Sequence, residues 1–77
     1  MNASDVRVLL VDGESWFLGI DVLRFVGYTQ SITNINQAVI NKLGAQHSRT
    51  TVIKDKLGRN QTSVILSEKA LKYTLQQ

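Results

Sequence analysis

The side chains best suited to binding a charged partner are the cations in the second half of the chain. Residues 38–77 carry seven lysines and arginines against two acids, whereas residues 1–37 carry two against four, so a net charge of +3 conceals +5 on one half and −2 on the other. This asymmetry indicates a polyanionic partner, although a charged surface that only keeps a protein in solution has the same composition.

Most of these cations lie in one predicted loop and one predicted β-hairpin. A basic β-ribbon can lie along a duplex groove, where phosphate contacts position it and groups such as Arg59, Asn60 and Gln61 reach base edges. Lys54 and Lys56 share one side of the strand if the strand extends that far. The candidate nucleic-acid-binding residues are Lys42, His47, Arg49, Lys54, Lys56, Arg59 and Asn60.

A predicted helix offers a second polar surface. Its outward residues are amides and one lysine, which suit groove recognition but are equally ordinary on a solvent-facing helix. They are Asn34, Asn36, Gln37, Asn41 and Lys42.

The sequence indicates no catalytic or metal site. Asp12, Glu14 and Asp21 are the only clustered carboxylates, and a turn and a helix first turn account for them without acid–base chemistry, which would require a raised pKa. The single His47 has no cysteine or second histidine in the chain to join it, and neither Ser15 nor Ser67 has a histidine at a readable spacing. No phosphate-binding glycine motif is present. We therefore expect a protein that is not an enzyme and that binds no cofactor or metal.

Length and composition predict one small domain over residues 1–77, with residues 1–5 flexible. A chain of this size has an expected stability of roughly 4–11 kcal/mol. Cysteine is absent, the longest aliphatic run is four residues, and the N-terminus lacks the pattern of a signal peptide. We expect a cytoplasmic protein with no membrane partner.

The first elements are predicted to be a β-hairpin. Alternating apolar residues predict a strand over residues 6–11, and Asp12-Gly13 is a typical hairpin turn. The returning strand covers residues 15–18, where Trp16 and Phe17 must point to opposite faces. One of these aromatic side chains should anchor the core.

Two helices follow. The first is predicted over residues 19–27, with an apolar stripe formed by Ile20, Leu23 and Val26 and with Val22 and Phe25 beside it. The second begins at a cap supplied by Ser31, Thr33 or Asn34 and ends before Gly44, and its apolar stripe is Ile35, Val39 and Leu43.

The remainder predicts a second hairpin and a last helix. A polar loop over residues 45–50 leads to a strand over 51–54, and residues 61–66 form the returning strand. Ser67 caps the final helix, whose predicted apolar face is Leu71 and Leu75, flanked by Ala70 and Thr74. The order is ββ-α-α-ββ-α, so the predicted fold class is α+β, with two β-hairpins, two central helices and a C-terminal helix.

The run VRVLLVDGESWFLGIDVLRFVGY resembles the opening of the Bro family N-terminal domain of phage antirepressors and baculovirus repeated-ORF proteins. The matching residues are Val6, Arg7, Asp12, Gly13, Glu14, Trp16, Phe17, Asp21, Val22, Gly27 and Tyr28. The similarity continues at Gly58-Arg59 and at Leu66-Ser67-Glu68, although that family often has alanine near Gly19, leucine at Val26 and glycine at Ala70.

The resemblance implies a regulatory DNA-binding module of viral or prophage type, with double-stranded DNA as its partner. Because the matching residues are mostly core and turn residues, they carry the fold rather than the contacts. An antirepressor that binds a repressor protein without touching DNA stays open as an alternative, and so does a homodimer.

Overall fold

The computed structural model describes residues 6–27 and 31–76. The predicted flexibility of residues 1–5 and the family-like Tyr28 lie outside the described residues. The elements are β1 (Val8–Val11), β2 (Glu14–Leu18), α1 (Gly19–Val26), α2 (Ile32–Leu43), a 3-10 segment (Ala45–His47), β3 (Ser48–Lys54), β4 (Asn60–Ser67) and α3 (Glu68–Leu75). The predicted α+β class and ββ-α-α-ββ-α order are confirmed.

The four strands form one antiparallel sheet in the order β1-β2-β4-β3. The two hairpins join through β2 and β4, where Trp16 lies opposite Ser67 and Leu18 lies opposite Ile65. The strands β3 and β4 pair over their whole length, up to the pair of Lys54 and Asn60. The second hairpin is therefore the longer one, and its tip extends away from the central strands.

The first hairpin closes with a two-residue turn, as predicted. Asp12 and Gly13 have φ values of 52° and 81°. Positive φ at both central residues is the type I′ geometry, whose twist matches that of the flanking strands and which favours Asp-Gly. This turn sets the register in which Leu9 faces Trp16.

The helices cover one face of the sheet. Leu66 of β4 packs there with Leu23 of α1, with Ile35 and Val39 of α2 and with Ala70 of α3. The predicted apolar stripe of α2 is confirmed, and Ser31 is its cap, since its hydroxyl accepts a bond from Asn34 N–H at 3.2 Å.

A second cluster lies on the opposite face of the sheet. Trp16 and Leu18 pack with Ile65, and each of these side chains is at most 2% exposed. Trp16 is thus the buried aromatic, whereas Phe17 on the other face is half-buried. The prediction that the two rings point in opposite directions is confirmed.

The predicted core face of α1 is right at Leu23 and wrong at Ile20, whereas the buried face of α3 consists of the two residues predicted to flank it. In α1, Val22 and Leu23 are buried whereas Ile20 is 38% exposed, because Gly19 brings the start of the helix against Ile32 and the backbone of Val64.

In α3, Ala70 and Thr74 are buried, whereas Leu75 is 44% exposed and Leu71 is half-buried. Small side chains face the sheet here because the helix starts directly at the end of β4 and packs close to it. Leu71 and Leu75 therefore lie beside the buried face rather than on it.

Two strand boundaries differ from the sequence prediction by two residues or more. The first strand begins at Val8 rather than residue 6, because the Arg7 backbone is bonded to Asp21. The strand β3 begins at Ser48 rather than Thr51, and the predicted polar loop is a short 3-10 segment followed by the first residues of β3.

Candidate nucleic-acid interface

The seven predicted contact residues fall into two groups at opposite ends of β3. The tip group consists of Lys54, Lys56, Arg59 and Asn60, and the base group consists of Lys42, His47 and Arg49. Six residues of strand separate Ser48 from Lys54, which corresponds to roughly 20 Å. The structure therefore does not bring all seven together, although all except His47 are exposed.

The tip group surrounds the connection between β3 and β4. Lys54 and Asn60 are the last paired residues of the ladder, and both side chains are exposed. Because β3 ends at Lys54, Lys56 lies in the turn and the strand alternation does not extend to it. The tip also displays Leu57, which is 76% exposed.

Asp55 holds this connection in one conformation. One carboxylate oxygen accepts bonds from the N–H groups of Leu57 and Arg59, both at 2.9 Å, and the other accepts Arg59 Nε at 3.0 Å. The backbone N–H of Arg59 is the main reason that the pKa of Asp55 lies below its usual range. Gly58, at φ 79°, permits the turn. Arg59 is thus partly neutralised, and Lys54 and Lys56 carry the net charge of the tip.

In the base group, the guanidinium of Arg49 lies over an aromatic ring. Its guanidinium carbon is 4.8 Å from the ring centroid of Trp16. Arg49 and Trp16 project from the same face of the sheet, since Arg49 pairs with Ile65, which in turn pairs with Leu18. The guanidinium stays exposed while its stem covers the indole, so Arg49 is both a packing residue and a positioned cation.

His47 is brought to a residue that the sequence did not connect with it. Its Nδ1 lies 2.8 Å from the hydroxyl oxygen of Ser67, and that oxygen also accepts the N–H of Ala70. Ser67 is 9% exposed and caps α3, as predicted. The pair therefore ties the 3-10 segment to the start of α3, and His47 is less available to a partner than the other candidates.

A shallow depression of about 830 Å³ adjoins this pair. Sequence reasoning missed that Lys69 and Lys72 of α3 line it together with His47 and Arg49. The distance of these two lysines from the base group depends on how α3 packs against the sheet. A sequence pattern within α3 does not reveal this packing. Glu14 and Glu68 line the same depression, and Glu68 lies 3.4 Å from the ammonium group of Lys72. The depression is therefore lined by both acidic and basic side chains.

The acidic residues do not form an acid–base pair. Asp21 is 6% exposed and accepts three bonds from Arg7, from its backbone N–H at 3.0 Å, from Nε at 2.8 Å and from Nη2 at 3.2 Å. The Arg7 guanidinium holds the pKa of Asp21 below its usual range, and burial opposes this only in part. Asp21 fixes β1 to α1 and stays ionised.

The polar surface of α2 is only partly available. The exposed residues are Asn34, Gln37, Asn41 and Lys42, whereas Asn36 is half-buried. Gln37 donates to the side chain of Asn41 at 3.0 Å, so two of the amides satisfy each other. This surface is less suited to recognition than the exposed cations are.

Comparison with known families identifies the family of the chain. The chain matches the BRO family N-terminal domain over residues 5–77. It belongs to that family. The Bro domain is associated with regulatory DNA-binding proteins of phages and viruses, and DNA is its general partner. Neither a curated protein nor a solved structure is similar enough to the chain to count as a match.

Two kinds of feature are absent from the described part of the Bro domain. No helix in residues 6–27 or 31–76 is long and apolar enough to span a membrane. Across the same ranges, no three acidic or histidine side chains cluster as metal ligands would.

Proposed function

We propose that this Bro domain is a cytoplasmic regulatory module of phage or prophage type that binds double-stranded DNA through its β3–β4 hairpin, in an antirepressor-like role. The observation that carries the proposal is the exposed tip, where Lys54 and Lys56 have no acidic partner among the described residues and Asn60 offers an amide beside them. A hairpin of this length reaches into a groove, and its cations meet phosphates.

The base group extends the same contact. Arg49 is exposed on β3 and held in place by the indole, so it can meet a second part of the duplex backbone without a large loss of side-chain freedom. Because Arg59 is paired with Asp55, the contacts of Lys54, Lys56 and Arg49 would give a slope of about −2.7 for log K against log salt. Catalysis is not part of the proposal, because Asp21 stays ionised and Ser67 is occupied as a helix cap.

A mobility-shift titration over several salt concentrations tests this function with a matched pair of variants. Lys54→Ala with Lys56→Ala removes two tip cations and should weaken binding about 60-fold at 0.1 M salt, at roughly eightfold for each phosphate contact. Lys69→Ala with Lys72→Ala removes the same charge from α3 and should change affinity much less. Equal losses in both double variants would contradict the assignment to the hairpin.

One observation favours a different class of partner. Leu57 at the tip and Val52 on β3 are 76% and 61% exposed, and apolar groups on a basic hairpin suit a protein surface. The alternative is a module that binds a repressor or another regulator without touching DNA. It takes precedence if wild-type protein binds no duplex even at low salt, and Leu57→Ser should then weaken binding of the protein partner.

A further inference from the structure

No described strand pairs with the outer edge of β1, and the side chains along this edge are exposed. The strand pairs only with β2 among the described strands. Leu18 N–H bonds to Arg7 O at 3.0 Å, and this sets the alternation in which the amide groups of Arg7, Leu9 and Val11 face β2. The N–H and C=O groups of Val8 and Leu10 therefore point away from the sheet.

The side chains of the same two residues are also uncovered. Val8 is 55% exposed and Leu10 is 76% exposed. Natural edge strands are usually protected by lysine, proline or a bulge, yet the strand reads Val-Leu-Leu-Val and pairs with β2 in unbroken register. An apolar edge of this kind is a site for the addition of another strand.

We propose that this edge pairs with β1 of a second copy of the chain, antiparallel, around a two-fold axis that passes beside Leu9. Val8 then lies opposite Leu10 of the second copy, and Leu10 lies opposite Val8. Both pairs use the outward-facing backbone groups, so four hydrogen bonds form, and the four aliphatic side chains meet on one face. The edge is complementary to itself, as an isologous interface requires.

The placement of charge also favours a second copy. The basic hairpin lies at the far edge of the sheet, because the strand order is β1-β2-β4-β3. Pairing through β1 gives a continuous sheet of eight strands with a hairpin at each outer edge and keeps the cations of the two copies apart. Seven strand spacings of about 4.8 Å place the outer strands roughly 34 Å apart, and because the two-fold axis reverses the strand direction, the two hairpin tips point to opposite ends of the sheet.

The strand pairing does not rest on the proposed function. Sedimentation analysis without DNA, over a concentration series reaching the millimolar range, therefore tests the pairing separately. Wild-type protein should show a monomer–dimer equilibrium. A purely monomeric wild type would overturn the inference. This outcome includes the case in which a peptide or another segment occupies the edge. It would leave DNA binding through the hairpin unaffected.

A matched pair of lysine substitutions locates the interface. Leu10→Lys should abolish the dimer, and Leu57→Lys should preserve it, since both leucines are 76% exposed and the change in charge is the same. Val8→Lys is the second variant should Leu10→Lys lose its native circular dichroism spectrum. Dimerisation of a folded Leu10→Lys or Val8→Lys protein at wild-type strength would refute the β1 interface.

Discussion

Asp55 determines how much of the positive charge at the hairpin tip is free to meet a phosphate. Its carboxylate lies 3.0 Å from Arg59 Nε and also accepts two backbone N–H bonds that shape the turn. Asp55→Asn keeps an acceptor oxygen for those two backbone bonds but removes the negative charge. The loop should keep its conformation, and Arg59 should become available as a further phosphate contact.

The magnitude follows from counterion release. One additional phosphate contact steepens the slope of log K against log salt by about 0.9, which corresponds to an approximately eightfold gain in affinity at 0.1 M salt. A mobility-shift or anisotropy titration of one duplex at several salt concentrations measures both quantities. Because the expected sign is a gain, a variant that merely loses native structure cannot imitate the result.

Asp12→Asn is the matched control. Asp12 is exposed in the β1–β2 turn at φ 52°, a conformation that asparagine tolerates well, so the substitution changes the net charge equally without altering the hairpin tip. It should raise affinity by much less than Asp55→Asn. Equal gains would show that only overall charge matters and would refute a contact made by the tip.

Three further predictions concern the scaffold. Asp21→Asn should lower the free energy of unfolding in urea at pH 7 by about 2–3 kcal/mol, since charge-assisted bonds from Arg7 are weakened at a buried site. Because the folded-state pKa of Asp21 is lowered, the stability from this ion pair is present above about pH 4 and is lost as pH falls below it, so wild type and variant should converge in urea titrations near pH 2. Ser67→Ala should cost about 1 kcal/mol by removing the cap of α3, and Ser67→Thr should recover most of it. Arg49→Ala should cost about 0.5–1 kcal/mol through lost contact with Trp16, whereas an unchanged urea midpoint would show that the stacking contributes nothing.

The sequence predicted the order of elements because each has a strong local signal. Asp12-Gly13 specifies a two-residue turn, Ser31 and Ser67 supply helix caps, and the period of the apolar residues changes from two to about three and a half between β2 and α1. These signals act over a few residues, so they can be recognised in the sequence without knowledge of the tertiary contacts.

The rotation of the helices could not be predicted in the same way. Ala70 and Leu71 both lie on plausible apolar stripes, and only the close approach of α3 to the sheet selects the smaller residue. At Gly19 the absence of a side chain lets Ile32 come near, and this turns Ile20 outward. In both helices, the distance between the helix and its packing partner determines which side chains are buried. The hydrophobicity of the residues alone does not determine this distance.

The candidate site was predictable in its charge but not in its partners. The basic tip follows from composition and the turn at Gly58. The pairing of Arg59 with Asp55 has helix-like spacing in the sequence, yet here it closes a hairpin. The contacts of His47 with Ser67 and of Arg49 with Trp16 join residues at least twenty positions apart, which only the sheet register brings together.

The contact of Arg49 with Trp16 gives the domain an intrinsic fluorescence probe. Trp16 is the only tryptophan of the chain. Its indole is shielded from water, and the guanidinium of Arg49 forms part of this cover. A ligand that pulls the guanidinium towards a phosphate must change the electric field at the ring and hence its emission. Binding near the base of β3 can therefore be followed in unlabelled protein, and a ligand held only by the distant tip would leave the signal unchanged.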